Sequence, residues 1–68
     1  MRIEIILDGE VYRSRSNDDG TAEEASQLTY EAFKTNDCNS LRLYLKKGGI
    51  IVLGPDAVKK AAIVFYDD

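Results

Sequence analysis

The dipeptide Asp8-Gly9 constrains the fold most, because it separates two runs of alternating apolar and polar residues. A two-residue turn of this composition accepts positive φ at both positions and joins antiparallel strands. Its length also sets the register of the hairpin. The predicted pairs include Ile6 with Val11, Ile5 with Tyr12 and Glu4 with Arg13. We therefore predict a β-hairpin whose return strand runs from Glu10 to Arg15.

Alternation along the two strands divides the side chains of this hairpin between two faces. One face is the predicted core side and holds Ile3, Ile5, Leu7 and Tyr12. The opposite face holds Ile6 and Val11 beside the oppositely charged pair Glu4 and Arg13. Opposite charges across a strand pair stabilise this register.

A second hairpin is predicted over residues 41–53, where three leucines alternate with Arg42, Tyr44 and Lys46. The turn is predicted at Lys47-Gly48-Gly49, with four residues between Leu45 and Ile50. Mirror pairing from that turn sets Tyr44 opposite Ile51 and Arg42 opposite Leu53. These four side chains then share an outer face, which is too apolar to be left entirely to water.

Thr21 followed by Glu24 is a capping-box pattern, and it predicts the start of a helix over residues 22–34. Apolar residues continue at helical spacing and predict the buried side of this helix. They are Ala25, Leu28, Ala32 and Phe33.

The last segment is open to two interpretations. Pro55 and Asp56 suit the first turn of a helix. That helix could continue to the end of the chain, whereas the run Ile63–Tyr66 is typical of a strand. We favour a helical turn over residues 55–60 followed by a strand. The predicted architecture is a single α+β domain over residues 1–68, with two layers and element order ββαβββ. One antiparallel sheet carries the main helix on one face.

The sequence favours a protein without enzymatic activity, since no histidine and a single cysteine occur in 68 residues. Nucleophile pairs that use histidine are excluded, as are metal sites that use it. Cys38 lies near the predicted helix C-terminus, where the dipole disfavours a thiolate. We therefore expect no catalytic residue, no metal and no cofactor.

The N-terminal residues are too charged for a signal peptide, and no apolar run approaches the roughly 20 residues of a membrane-spanning helix. A lone cysteine does not indicate a disulfide-stabilised secreted protein. We expect a cytoplasmic protein that does not contact the membrane.

The main functional hypothesis is a small interaction or regulatory protein that forms a homodimer or docks on a protein partner. Its outer sheet face is the predicted contact surface. The candidate residues are Ile6, Val11, Arg13, Arg42, Tyr44, Ile51 and Leu53.

Two alternatives remain open. The first is a nucleic-acid-binding accessory module, because basic and aromatic residues on an open sheet can stack bases and bind phosphates. Its candidate residues are Arg13, Arg15, Arg42, Tyr44 and Lys46. The second is an inhibitor from a phage or mobile element, whose acidic stretch over residues 18–24 imitates a phosphate backbone. The net charge of −3 weighs against the first and motivates the second.

Overall fold

A computed structural model describes residues 1–18, 20–35 and 39–67 of the chain. Its elements, in order, are β1 (Arg2–Leu7), β2 (Glu10–Arg13), α1 (Ala22–Lys34), β3 (Leu41–Tyr44), β4 (Ile50–Leu53), α2 (Pro55–Lys60) and β5 (Ala62–Tyr66). The predicted α+β class and element order are confirmed. The last segment is a helix followed by a strand, as we favoured.

The strands form two antiparallel sheets, where a single sheet was predicted. One has the order β2-β1-β5, and the other consists of β3 and β4. A bridge between Ser14 and Leu45 links them just after β2 ends. Two backbone hydrogen bonds flank the bridge, from Arg15 N–H to the Tyr44 carbonyl at 3.0 Å and from Lys46 N–H to the Arg13 carbonyl at 2.9 Å. The outer surfaces of the two sheets therefore meet at this junction.

The first hairpin has the predicted register, with Ile6 opposite Val11 and Glu4 opposite Arg13. Asp8 and Gly9 have φ of 51° and 81°, the left-handed conformation that this turn requires. The predicted core side is confirmed, because Ile5 is completely buried. The other side is open, with Ile6 and Val11 both exposed.

The second hairpin differs from the prediction by one residue. Tyr44 lies opposite Ile50, and Arg42 lies opposite Val52. The loop between the strands has three residues, Lys46–Gly48, and not four. Leu45 N–H donates to the Gly49 carbonyl at 3.0 Å, and Gly48 N–H donates to the Leu45 carbonyl at 3.0 Å. Gly48 has φ of 96°, which suits the bulge that ends such a loop.

This shift turns every side chain of β4 to the opposite face, since strand side chains alternate. Leu53 is only 4% exposed and belongs to the core, and Ile51 is half-buried against that core. Placing Ile51 and Leu53 on the outer face was therefore wrong. The exposed positions of β4 are Ile50 and Val52.

Helix α1 has the predicted bounds and the predicted capping box. Glu24 N–H donates to Thr21 Oγ1 at 3.1 Å, and Thr21 N–H donates to Glu24 Oε1 at 3.2 Å. The prediction for Leu28 is wrong, because this residue is 73% exposed. The half-buried arc of the helix centres on Thr29, and adjacent residues project about 100° apart around a helix axis.

The core is small and lies between the sheets and the helices. Its buried apolar residues are Ile5, Leu53 and Val58. Half-buried residues packed around them include Ile3, Leu7, Tyr12, Phe33, Leu41, Leu43 and Ile51. Helix α1 packs on β5, and α2 packs on β4. Strand β5 completes the larger sheet by pairing with β1, with Ile63 opposite Ile5.

Candidate interaction surface

The outer surface of the two sheets displays apolar side chains at two places. Ile6 and Val11 form an exposed cross-strand pair on the larger sheet, 38% and 41% exposed. Tyr44, Ile50 and Val52 lie together on the smaller sheet, each at least half exposed. Five of the predicted contact residues are apolar or aromatic. Ile6, Val11 and Tyr44 face outward, whereas Ile51 and Leu53 face the core.

Strand β4 is an edge strand of the smaller sheet. The hydrogen bond between Leu45 and Gly49 makes this a bonded pair, so bonded pairs recur at every second residue of the hairpin. The backbone groups of Ile51 and Leu53 consequently point towards β3. Those of Ile50 and Val52 point away from it, and no backbone hydrogen bond within the described ranges engages them on that side.

The edge also lacks two of the features by which proteins protect exposed strands. Its sequence is Ile-Ile-Val-Leu, with no charge and no proline. Such edges pair readily with another strand. Ile50 and Val52 therefore combine open backbone groups with exposed apolar side chains, at 50% and 68% exposure.

Two arginines surround Tyr44 on the outer surface. The Cζ atoms of Arg15 and Arg42 lie 5.6 Å and 5.4 Å from the centroid of its ring. Arg42 Nη2 also donates to Tyr44 Oη at 3.0 Å. We call Arg15, Arg42 and Tyr44 the Arg–Tyr cluster. Arg42 and Tyr44 share a strand, whereas Arg15 is brought to them by the link between the two sheets.

A concavity of about 270 Å³ opens beside this cluster. Its polar lining comes from Ser14, Ser16 and Asn17 as well as from Arg15, Arg42 and Tyr44. The segment after β2 thus forms one wall, and β3 forms the other. The cluster lies at a recess and not on a flat surface.

Arg13, the remaining basic candidate of the interaction face, is bound to Glu4. Its Nε lies 3.0 Å from Glu4 Oε2. Arg2 Nη1 lies 3.5 Å from the same oxygen, and Tyr66 Oη donates to Glu4 Oε1 at 3.3 Å. The carboxylate of Glu4 therefore offsets much of the positive charge on this part of the larger sheet.

An apolar groove between α1, α2 and β5 was not anticipated from the sequence. It measures about 330 Å³, and its lining includes Tyr30, Phe33, Val58, Ile63 and Phe65. The sequence signal for this groove is the apolar run Ile63–Tyr66. Alternation along the strand shows which of these residues share a face only after β5 is seen to pair with β1.

Two of the residues considered in the sequence analysis, Cys38 and Asp19, lie outside the described residues. Asp19 belongs to the acidic stretch over residues 18–24. Glu24, in the same stretch, is engaged in the helix cap. Across the described ranges, no three His, Cys, Asp or Glu side chains group closely enough to hold a metal ion. The helices described are likewise too short or too polar to span a membrane.

The fold is that of a small two-layer α+β protein. No family model, curated protein or solved structure matches the chain. The geometry of its surface is consequently the basis for a functional proposal.

Proposed function

We propose that this chain is a non-enzymatic interaction protein that associates through β4, with a second copy of itself as the partner. The observation that supports this is the coincidence of two features at Ile50 and Val52. Both residues direct their backbone groups to the open edge, and both expose their side chains on the outer surface. An edge of this kind binds by adding a strand to its sheet.

The strand is self-complementary about Ile51. In an antiparallel pair of two copies, Ile50 would lie opposite Val52 of the second copy, and Ile51 opposite its own equivalent. Every outward backbone group then meets an outward group of the other strand. The result is a continuous four-stranded sheet with the order β3-β4-β4-β3, which closes under two-fold symmetry.

The side chains favour the same arrangement. Cross-strand pairing sets Ile50 beside Val52 of the second copy on the outer surface, where branched apolar pairs stabilise a sheet. Each such pair contributes roughly 0.2–1 kcal/mol relative to a pair of alanines, and the two-fold axis supplies the pair twice. This gain adds to the backbone hydrogen bonds in a chain with three buried apolar residues among those described. Arg42, opposite Val52 on β3, would border the apolar patch.

The test is the mass of the protein in solution, measured by sedimentation. Val52→Lys places a charge within the proposed contact, opposite Ile50 of the second copy, and should convert the dimer to a monomer. The matched control is Leu28→Lys, because Leu28 is an equally exposed apolar residue on a different element. It should leave the dimer intact.

A monomeric wild-type protein would overturn self-association, as would a Val52→Lys variant that remains dimeric. Circular dichroism of each variant establishes that it is folded. If the wild-type protein is a monomer and its β4 binds a strand of a different protein, the partner is that protein and not a second copy.

A further inference from the structure

The Arg–Tyr cluster carries positive charge that the described part of the chain does not neutralise. Arg2 and Arg13 are paired with Glu4. Arg15 and Arg42 take part in none of the ion pairs between described residues, and their contacts are with Tyr44. We propose that this cluster and the concavity beside it form a binding site for a phosphate monoester dianion.

The two guanidinium groups are held in place before any ligand arrives. Both lie within the roughly 6 Å of the Tyr44 ring at which cation–π attraction operates. Arg15 is fixed at its backbone by the hydrogen bond to the Tyr44 carbonyl, and Arg42 by the bond to Tyr44 Oη. A site ordered in advance loses less conformational entropy on binding.

The size of the recess favours a single small group. About 270 Å³ lies below the range of roughly 300–1,000 Å³ that is typical of pockets for larger ligands. The arginines come from two different segments, and they border the recess together with Ser14 and the residues that follow it. A compact anion in the recess is therefore bordered by both arginines.

The chemistry of the cluster matches a monoester in charge and in hydrogen bonding. A phosphate monoester carries a charge of about −1.5 to −2 at neutral pH and three acceptor oxygens. Two arginine forks supply two positive charges and paired N–H donors for those oxygens. A phosphodiester carries a single charge, and the net charge of −3 opposes the approach of a polyanion. Guanidinium groups also occupy the surroundings of the Tyr44 ring, on which a base would have to stack.

The experiment is an NMR titration of backbone amide signals with phenyl phosphate as the monoester probe. Inorganic phosphate serves as the free-anion arm, diphenyl phosphate as the diester arm, and a single-stranded oligonucleotide as the polyanion arm. We expect saturable shifts for phenyl phosphate at the amides of residues 14–17 and 42–45. Inorganic phosphate should shift the same amides, since it offers the same dianion, and diphenyl phosphate should bind more weakly.

Variants identify the contact. Arg15→Gln and Arg42→Gln should each weaken phenyl phosphate binding by about tenfold or more, because each removes a charged hydrogen-bonding partner. Arg42→Lys keeps the charge but lacks the planar fork, and it should also weaken binding. Lys59→Gln is the matched control, since Lys59 is an exposed cation on α2. Its affinity should equal that of the wild type.

Three results would overturn the site. They are the absence of saturable shifts with millimolar phenyl phosphate, an equal loss of affinity in Lys59→Gln, and tighter binding of the oligonucleotide than of the monoester. The amide spectra show directly whether each variant is folded. Repeating the titration on Val52→Asn, a neutral variant checked by sedimentation to be monomeric, separates this proposal from the dimer. The cluster is complete within one chain, and this substitution adds no charge beside Arg42, so the affinity for phenyl phosphate should equal that of the wild type.

Discussion

Ser14 is joined to Ile3 by two hydrogen bonds, one through its backbone and one through its side chain. Ser14 N–H donates to the Ile3 carbonyl at 2.8 Å, and Ile3 N–H donates to Ser14 Oγ at 2.8 Å. A regular antiparallel pair would use the Ser14 carbonyl as the second acceptor. Because the hydroxyl takes that role, the backbone is able to leave β1 here and join Leu45.

Ser14→Ala should destabilise the protein by about 1–3 kcal/mol, because it leaves the partly buried N–H of Ile3 without its acceptor. Urea denaturation measures this loss. Ser26→Ala is the control, since the Ser26 hydroxyl donates only to the Glu23 carbonyl within α1. Equal stability of the two variants would contradict the role given to Ser14.

Gly48→Ala should cost roughly 1–2 kcal/mol, because a side chain is strained in the left-handed conformation. Gly48 has φ of 96°, and no atom lies within 4 Å of the position of an added Cβ. The cost is therefore one of backbone conformation and not of a clash. Gly48→Asn is the matched control, because asparagine enters the left-handed region more readily than alanine. Thermal unfolding should show a larger drop in melting temperature for Gly48→Ala than for Gly48→Asn.

Thr21→Ala should remove one half of the capping box and cost about 1 kcal/mol of stability. The lost contact is the bond from Glu24 N–H to Thr21 Oγ1. Thr21→Ser retains the hydroxyl and should restore most of the stability, which denaturant titration of the three proteins would measure. If serine is as unstable as alanine, the hydroxyl is not the stabilising group.

The ion pair between Glu4 and Arg13 should contribute less than about 1 kcal/mol, because Arg13 is largely exposed. A double-mutant cycle with Glu4→Gln and Arg13→Gln gives the coupling energy. The coupling should fall as salt is added, since screening weakens exposed pairs. A coupling that is unchanged at high salt would show that another interaction joins the two side chains.

The two hairpins show what a local sequence can and cannot determine. Asp8-Gly9 admits one short turn, so the register of the first hairpin follows from it. Lys46-Lys47-Gly48-Gly49 is compatible with a loop of three or of four residues, and each choice is sterically acceptable for glycine. The choice depends on the backbone conformation of the loop, and a difference of one residue decides whether Ile51 or Val52 is exposed.

The candidate sites show the same difference between what a local sequence determines and what it does not. Arg42 and Tyr44 are two residues apart on a strand, so their shared face was predictable. The position of Arg15 beside them was not, because it depends on the link between Ser14 and Leu45. That link joins residues far apart in the sequence and has no local signature.

Strand β1 is bonded on both sides, and its second neighbour is β5, with Arg2 opposite Tyr66. During translation, a nascent chain therefore displays the free edge of β1 until residue 66 has left the ribosome. Ile5, completely enclosed in the finished molecule, spends that interval without its last neighbouring strand. Contacts between residues this distant form late. An incomplete copy thus offers an unpaired strand edge to which another chain can bind.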